Sequence, residues 1–132
     1  MTDNPFENAE IIHSYSRAQA FADGVLLDVS DSARACGFRY PVAVTQAVWA
    51  GAVKHVDDSV EPMTVTQALA IGDNLRHLLL AAATQARTGP PSDRRTFVLT
   101  VPATGEELEI VMRCGPGDTA EPVITLMTTL DD

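Results

Sequence analysis

The sequence predicts an α+β fold: a helical N-terminal half with one short strand, packed on a C-terminal three-stranded antiparallel meander. Three observations carry that reading. Between residues 64 and 86 apolar side chains recur at helical spacing, whereas after residue 93 they alternate with polar ones at period two. The stretch TGPPSD, Thr88 to Asp93, cannot be helical and separates the two patterns. The length of 132 residues suits one domain, 1–132, with no repeat and no low-complexity tract.

Residues 1–13 are polar with scattered apolar positions and are expected to form a loosely held arm. Ser14 or Ser16 can cap a short helix, SRAQAFAD, in which Ala18, Phe21 and Ala22 recur at helical spacing and which Gly24 stops. The β-branched and apolar run Val25–Val29 reads as the one strand of this half. Ser30 is the expected cap of a second helix, DSARAC, closed by Gly37. Pro41 makes Tyr40 extended, and Val42-Ala43-Val44 leads to Thr45, a cap for a helix holding Ala47, Val48, Trp49 and Ala52. Thr64 or Thr66 opens the longest helix, on which Leu69, Leu75, Leu78, Leu79 and Ala82 trace an apolar stripe opposite Asp73, Arg76 and Gln85.

In the last third, Phe97, Leu99 and Val101 alternate with Val98 and Thr100. Leu108, Ile110, Met112 and Cys114 alternate with Glu107, Glu109, Val111 and Arg113, the pattern of a half-solvated strand. Val123–Leu130 supplies the third strand, with turns at Ala103–Glu106 and Gly115–Pro122.

Composition narrows the function classes. Eighteen acids against nine bases give a net charge of −9. Nucleic acid and anionic membranes attract Lys/Arg surfaces, so neither is the expected partner. No window approaches the ~18 apolar residues of a membrane span, and MTDNPFENAE lacks the basic and apolar regions of a secretory signal. The expected location is cytoplasmic, where Cys36 and Cys114 stay reduced.

The chain carries no phosphate-binding glycine loop ending in Lys-Ser/Thr, no GxGxxG after a strand, and no HExxH, GxSxG or CxxC. No catalytic residue is therefore assigned, and the non-enzymatic reading is preferred. His55, Asp57, Asp58 and Glu61 offer an imidazole and three carboxylates, the donor types of a divalent-ion site. A solvated loop, whose charges keep the chain out of the core, is the preferred reading, and neither a metal nor another cofactor is expected. His13, Tyr15 and Arg17, with Asp28 on the nearby strand, form a polar cluster suited to a cleft between helix and strand. Trp49, the one tryptophan, reads as a core anchor.

Charge points outward most clearly after residue 88, where eight acids and three bases leave −5 in a third of the chain. Glu107 and Glu109 project from one strand face ~7 Å apart. Glu106 lies beside them, and Asp118 and Glu121 lie in the following turn. Such an acidic face suits a protein partner with a basic surface.

The block from Ser14 to Trp49 and the tail RCGPGDTAEPVITLM resemble a family of small bacterial proteins catalogued as a domain of unknown function. The matching strings are Tyr15 through Ala20, Asp23 through Val29, Gly37 through Ala43 with Trp49, and Cys114 through Thr125. The segment ALAIGDNLRHLLLAAATQ departs from a family pattern that carries a Trp there. The resemblance implies a setting, on chromosomes, plasmids and phages, and no reaction. The expectation is a small acidic protein-interaction factor, pictured as an accessory or counter-defence protein of a mobile element. The alternative is a small enzyme or ligand-binding domain built on the polar cleft near the first helix and strand. A homo-oligomer paired through the edge of the meander is a third reading.

Overall fold

The computed structural model describes residues 15–54, 64–88, 92–102 and 104–132. The expected N-terminal arm, His13, and the His55-Asp57-Asp58-Glu61 group lie outside the described residues.

The elements follow one another as α1 (Arg17–Ala22), β1 (Leu26–Asp28), α2 (Ser30–Ala35), β2 (Val42–Thr45) and α3 (Gln46–Val48). A π-helical turn, Trp49–Val53, continues α3, and α4 (Val65–Arg87), β3 (Arg94–Thr100), β4 (Glu107–Pro116) and β5 (Pro122–Thr128) complete the chain. The five strands form one mixed sheet in the order β1-β2-β5-β4-β3. β3, β4 and β5 are antiparallel neighbours, as the meander reading required, but they are only part of the sheet. β2 pairs with β5 in parallel, Val42 opposite Ile124 and Val44 opposite Leu126, and β1 pairs antiparallel with β2. The α+β class therefore holds, and two details change. The N-terminal half supplies two strands, and one of them, β2, lies inside the sheet next to β5.

β2 escapes a period-two reading because all four of its residues are buried. A strand covered on both faces has no polar side to alternate with. Val42 and Val44 face the main core, which α2, α3, the π-helical turn and α4 cover with Ala33, Val48, Ala52, Val53, Leu75, Leu78, Leu79 and Ala82. Opposite them the sheet contributes Phe97, Leu99, Ile110, Met112, Ile124 and Leu126.

The helix ends follow the polar spacing. Thr64 accepts from the Gln67 amide while the Gln67 side chain accepts from the Thr64 amide, a reciprocal cap at the start of α4. Thr45 caps α3 by accepting from the Val48 amide. Ser30 does not cap α2. Val29 holds the cap position, and the Ser30 hydroxyl donates to Asp28 Oδ1 and accepts from the Val42 amide. Leu69 also departs from expectation: it is 65% exposed, because the first turns of α4 turn that side of the helix away from the core. His77 bonds the Thr100 carbonyl at 3.2 Å, which ties α4 to the end of β3.

The opposite sheet face is only partly covered. Val111, expected on a solvated face, is fully buried. Across this face lies a turn after β5, in which Asp131 accepts from the Thr45 hydroxyl at 2.8 Å. Asp132 next to it accepts from Arg113 at 2.7 Å and from Arg94 at 2.5 Å. Arg94 and Arg113 are paired in register, so one carboxylate answers two neighbouring guanidinium groups. Trp49 is half-buried at the rim of the core instead of enclosed by it.

Candidate functional site

α1 is short, and its exposed amides need partners that its own six residues cannot supply. Ser16 accepts from the Gln19 amide, and the Gln19 side chain returns the bond to the Ser16 amide. The first two amides go elsewhere: Arg17 N–H donates to Asp118 Oδ1 at 2.7 Å and Ala18 N–H to Asp118 Oδ2 at 2.9 Å. The turn after β4 thus holds the start of α1 against the sheet. These two backbone bonds, Arg17 first, keep the Asp118 carboxyl below its ordinary pKa.

Docked in this way, α1 carries the Arg17 side chain down to the sheet. Its guanidinium donates to Thr125 Oγ1 at 2.7 Å and to the Ile124 carbonyl at 3.0 Å, and lies 5.5 Å from the centre of the Phe21 ring. Burial lowers the Arg17 pKa, and Asp28, Asp118 and Glu121 oppose that by holding the charge. Register explains the convergence. Asp28 is opposite Ala43 and Ala43 is opposite Thr125, so Asp28 and Thr125 share the face that α1 approaches.

The result is a cleft of about 220 Å³ lined by Arg17, Phe21, Asp28, Ser30, Asp118 and Glu121, among others. Hydrogen bonds already engage much of its polar surface. Asp28 Oδ1 accepts from the Ser30 amide and hydroxyl. Glu121 accepts from the amide and hydroxyl of Thr119, which lowers its pKa. A neighbouring depression of about 400 Å³ lies between Tyr15, Arg17, Asp118 and Asp131, with Leu26, Thr45, Thr125 and Met127 below. Tyr15 donates to Asp23 Oδ2 at 2.5 Å, which raises the phenol pKa. What the cleft offers is a fixed guanidinium among carboxylates, an arrangement for binding. Among the described residues no three His, Cys, Asp or Glu side chains are grouped to hold a metal ion.

The structure therefore joins two groups that the sequence left apart. Arg17 and Asp28 meet Asp118 and Glu121, while Tyr15 borders the adjoining depression. Glu106, Glu107 and Glu109 are elsewhere, at the opposite end of β4 and roughly 25–30 Å from Asp118 by strand rise. The five acids form two groups. Thr125 and Ser30, which organise the cleft, gave no sign in the sequence beyond their place in short β-branched or capping runs. Asp131 and Asp132 read as a solvated pair of acids.

Fold and cleft define a small α+β protein with a mixed sheet and polar groups gathered where α1 meets the outer sheet face. The chain belongs to the family of unknown function DUF6573, whose model matches residues 2–132. No curated protein and no solved structure matches it.

Proposed function

We propose that this protein is a non-enzymatic interaction factor that binds a basic protein surface through the outer face of the β3–β4 hairpin. One observation carries the reading. Glu106, Glu107 and Glu109 make no side-chain hydrogen bond or ion pair among the described residues, whereas Asp118, Glu121, Asp131 and Asp132 are all engaged. In register with them stand Thr100 and Val98, the latter 60% exposed, so the free carboxylates border an uncovered apolar spot on an edge strand. Free charge beside exposed apolar surface suits a partner that supplies both cations and a hydrophobic contact. A cytoplasmic location belongs to the same proposal, as does a role as accessory or counter-defence factor of a mobile element, which rests on the motif resemblance alone. No described helix is long and apolar enough to cross a membrane.

The test is comparative affinity capture from the native host with wild-type protein and the Glu107→Lys/Glu109→Lys variant. A basic protein captured by the wild type, released by salt and lost with the variant is the expected result. Equal capture by both, or direct binding of wild-type protein to duplex DNA, would overturn the proposal.

The Arg17 cleft favours a second reading, a small-ligand site that presents the guanidinium and Asp28 together. Stabilisation by a member of a small-molecule library, abolished in Arg17→Lys, would support it.

A further inference from the structure

The outward side of α4 has the same residue spacing read in either direction. Val65, Leu69, Asp73, Arg76, Leu80 and Thr84 are spaced four, four, three, four and four residues apart. At 3.6 residues per turn they fall within an arc of about 100°. All six are exposed, with Val65 at 77%, Leu69 at 65% and Leu80 at 41%. The middle pair carries opposite charges, and neither Asp73 nor Arg76 makes a side-chain hydrogen bond or ion pair among the described residues. Beside this stripe, Ser32 and Ala35 of α2, Cys36 just after it, and Gly72, Arg76 and Leu80 of α4 line a depression of about 360 Å³. A methyl group at Gly72 would touch nothing within 4 Å, so the groove is open at that point.

We propose that α4 pairs with α4 of a second copy of this chain, antiparallel, about a two-fold axis between residues 74 and 75. An isologous contact must present the same patch from both sides, and this stripe is self-complementary in that sense only when antiparallel. The axis sets Asp73 against the second copy's Arg76, and Arg76 against its Asp73. It also sets Leu69 against the second copy's Leu80, which lines the α2–α4 depression of its own copy. The four-three-four spacing of positions 69, 73, 76 and 80 is that of a supercoiled helix seam. The two ion pairs fix direction and register, a role buried charge pairs perform better than adding net affinity. The leucines supply the attraction.

Sedimentation velocity across a wide concentration range tests this. Wild-type protein is expected to show a reversible monomer–dimer equilibrium. Asp73→Arg and Arg76→Asp each create two like-charge contacts and are expected to weaken dimerisation more than ~10-fold, since such contacts cost several kcal/mol. An equimolar mixture of the two variants restores both opposite-charge contacts and is expected to dimerise, as is the double variant Asp73→Arg/Arg76→Asp. Circular dichroism checks that each variant is folded. Glu107→Lys/Glu109→Lys leaves the dimer unchanged, which separates this inference from the acidic-face proposal. A wild type that stays monomeric at every concentration overturns the proposal. So does a dimer that the charge variants leave intact, or a monomer in which a thiol placed by Leu69→Cys is shielded from reagent by its own chain.

Discussion

Arg17 and Asp118, 101 residues apart, are joined through a backbone amide, so the turn after β4 completes the N-terminus of the first helix. Asp118→Ala removes the acceptor for two amides at once. The expected outcome is a lower urea midpoint with an unchanged m-value, and faster hydrogen exchange confined to residues 17–20. Exchange no different from wild type in α1 would show that water replaces the carboxylate without cost.

Acid should loosen the turn after β5 before the core. Burial pushes the Asp131 pKa up, but bonds from the Thr45 hydroxyl and from the amide and hydroxyl of Thr128 outweigh it and hold the carboxyl below its ordinary range. The Arg94 bond, aided by Arg113, lowers Asp132 in the same direction. A carboxylate held lower in the folded state stabilises that state above its unfolded pKa, and the stabilisation is lost as pH falls through the folded value. Thermal stability is thus expected to be flat at neutral pH and to decline below about pH 4. Asp131→Asn should lower the neutral-pH melting temperature and flatten that decline.

The tight centre of the fold should be costly to empty. Leu78 is fully buried in the main cluster, and Leu78→Ala is expected to cost about 3 kcal/mol by denaturant titration. Trp49 is only half-buried, so Trp49→Ala should cost less, about 2 kcal/mol, and its emission should be partly quenched by acrylamide in the native protein. Complete protection from quencher would place the indole deeper than its exposure indicates.

Reversal of Glu107 and Glu109 to Lys should leave stability within about 0.5 kcal/mol, because both side chains are exposed and unpaired. A cooperative melt at the wild-type temperature would confirm that any loss of partner binding comes from charge.

Much of the helical and hairpin structure was legible because its signals are local. Ser16, Thr45 and Thr64 cap the helices their spacing announces, and Gly24 and Gly37 adopt the positive φ of 75° and 101° that chain turns there require. The missed features depend on distant partners. β2 has no alternation because both faces are covered, and its neighbour β5 lies eighty residues downstream. Val111 obeys period two but is buried, on a face crossed by a turn whose two aspartates look like solvated surface. For the cleft, the sequence brings Arg17 and Asp28 together, but proximity along the chain groups Asp118 and Glu121 with Glu107. Strand length, about 3.3 Å per residue, then carried them to opposite ends of β4.

The parallel pairing of β2 with β5 also dictates when the molecule is able to fold. During synthesis the β1–β2 pair emerges early, but β2 gains its second neighbour only after β5 has left the ribosome. Until then Val42 and Val44 have an unpaired edge, and the long loop closed by this contact slows its formation. Folding should therefore be a late event in translation, and a nascent chain stalled before residue 122 should remain sensitive to protease over both halves.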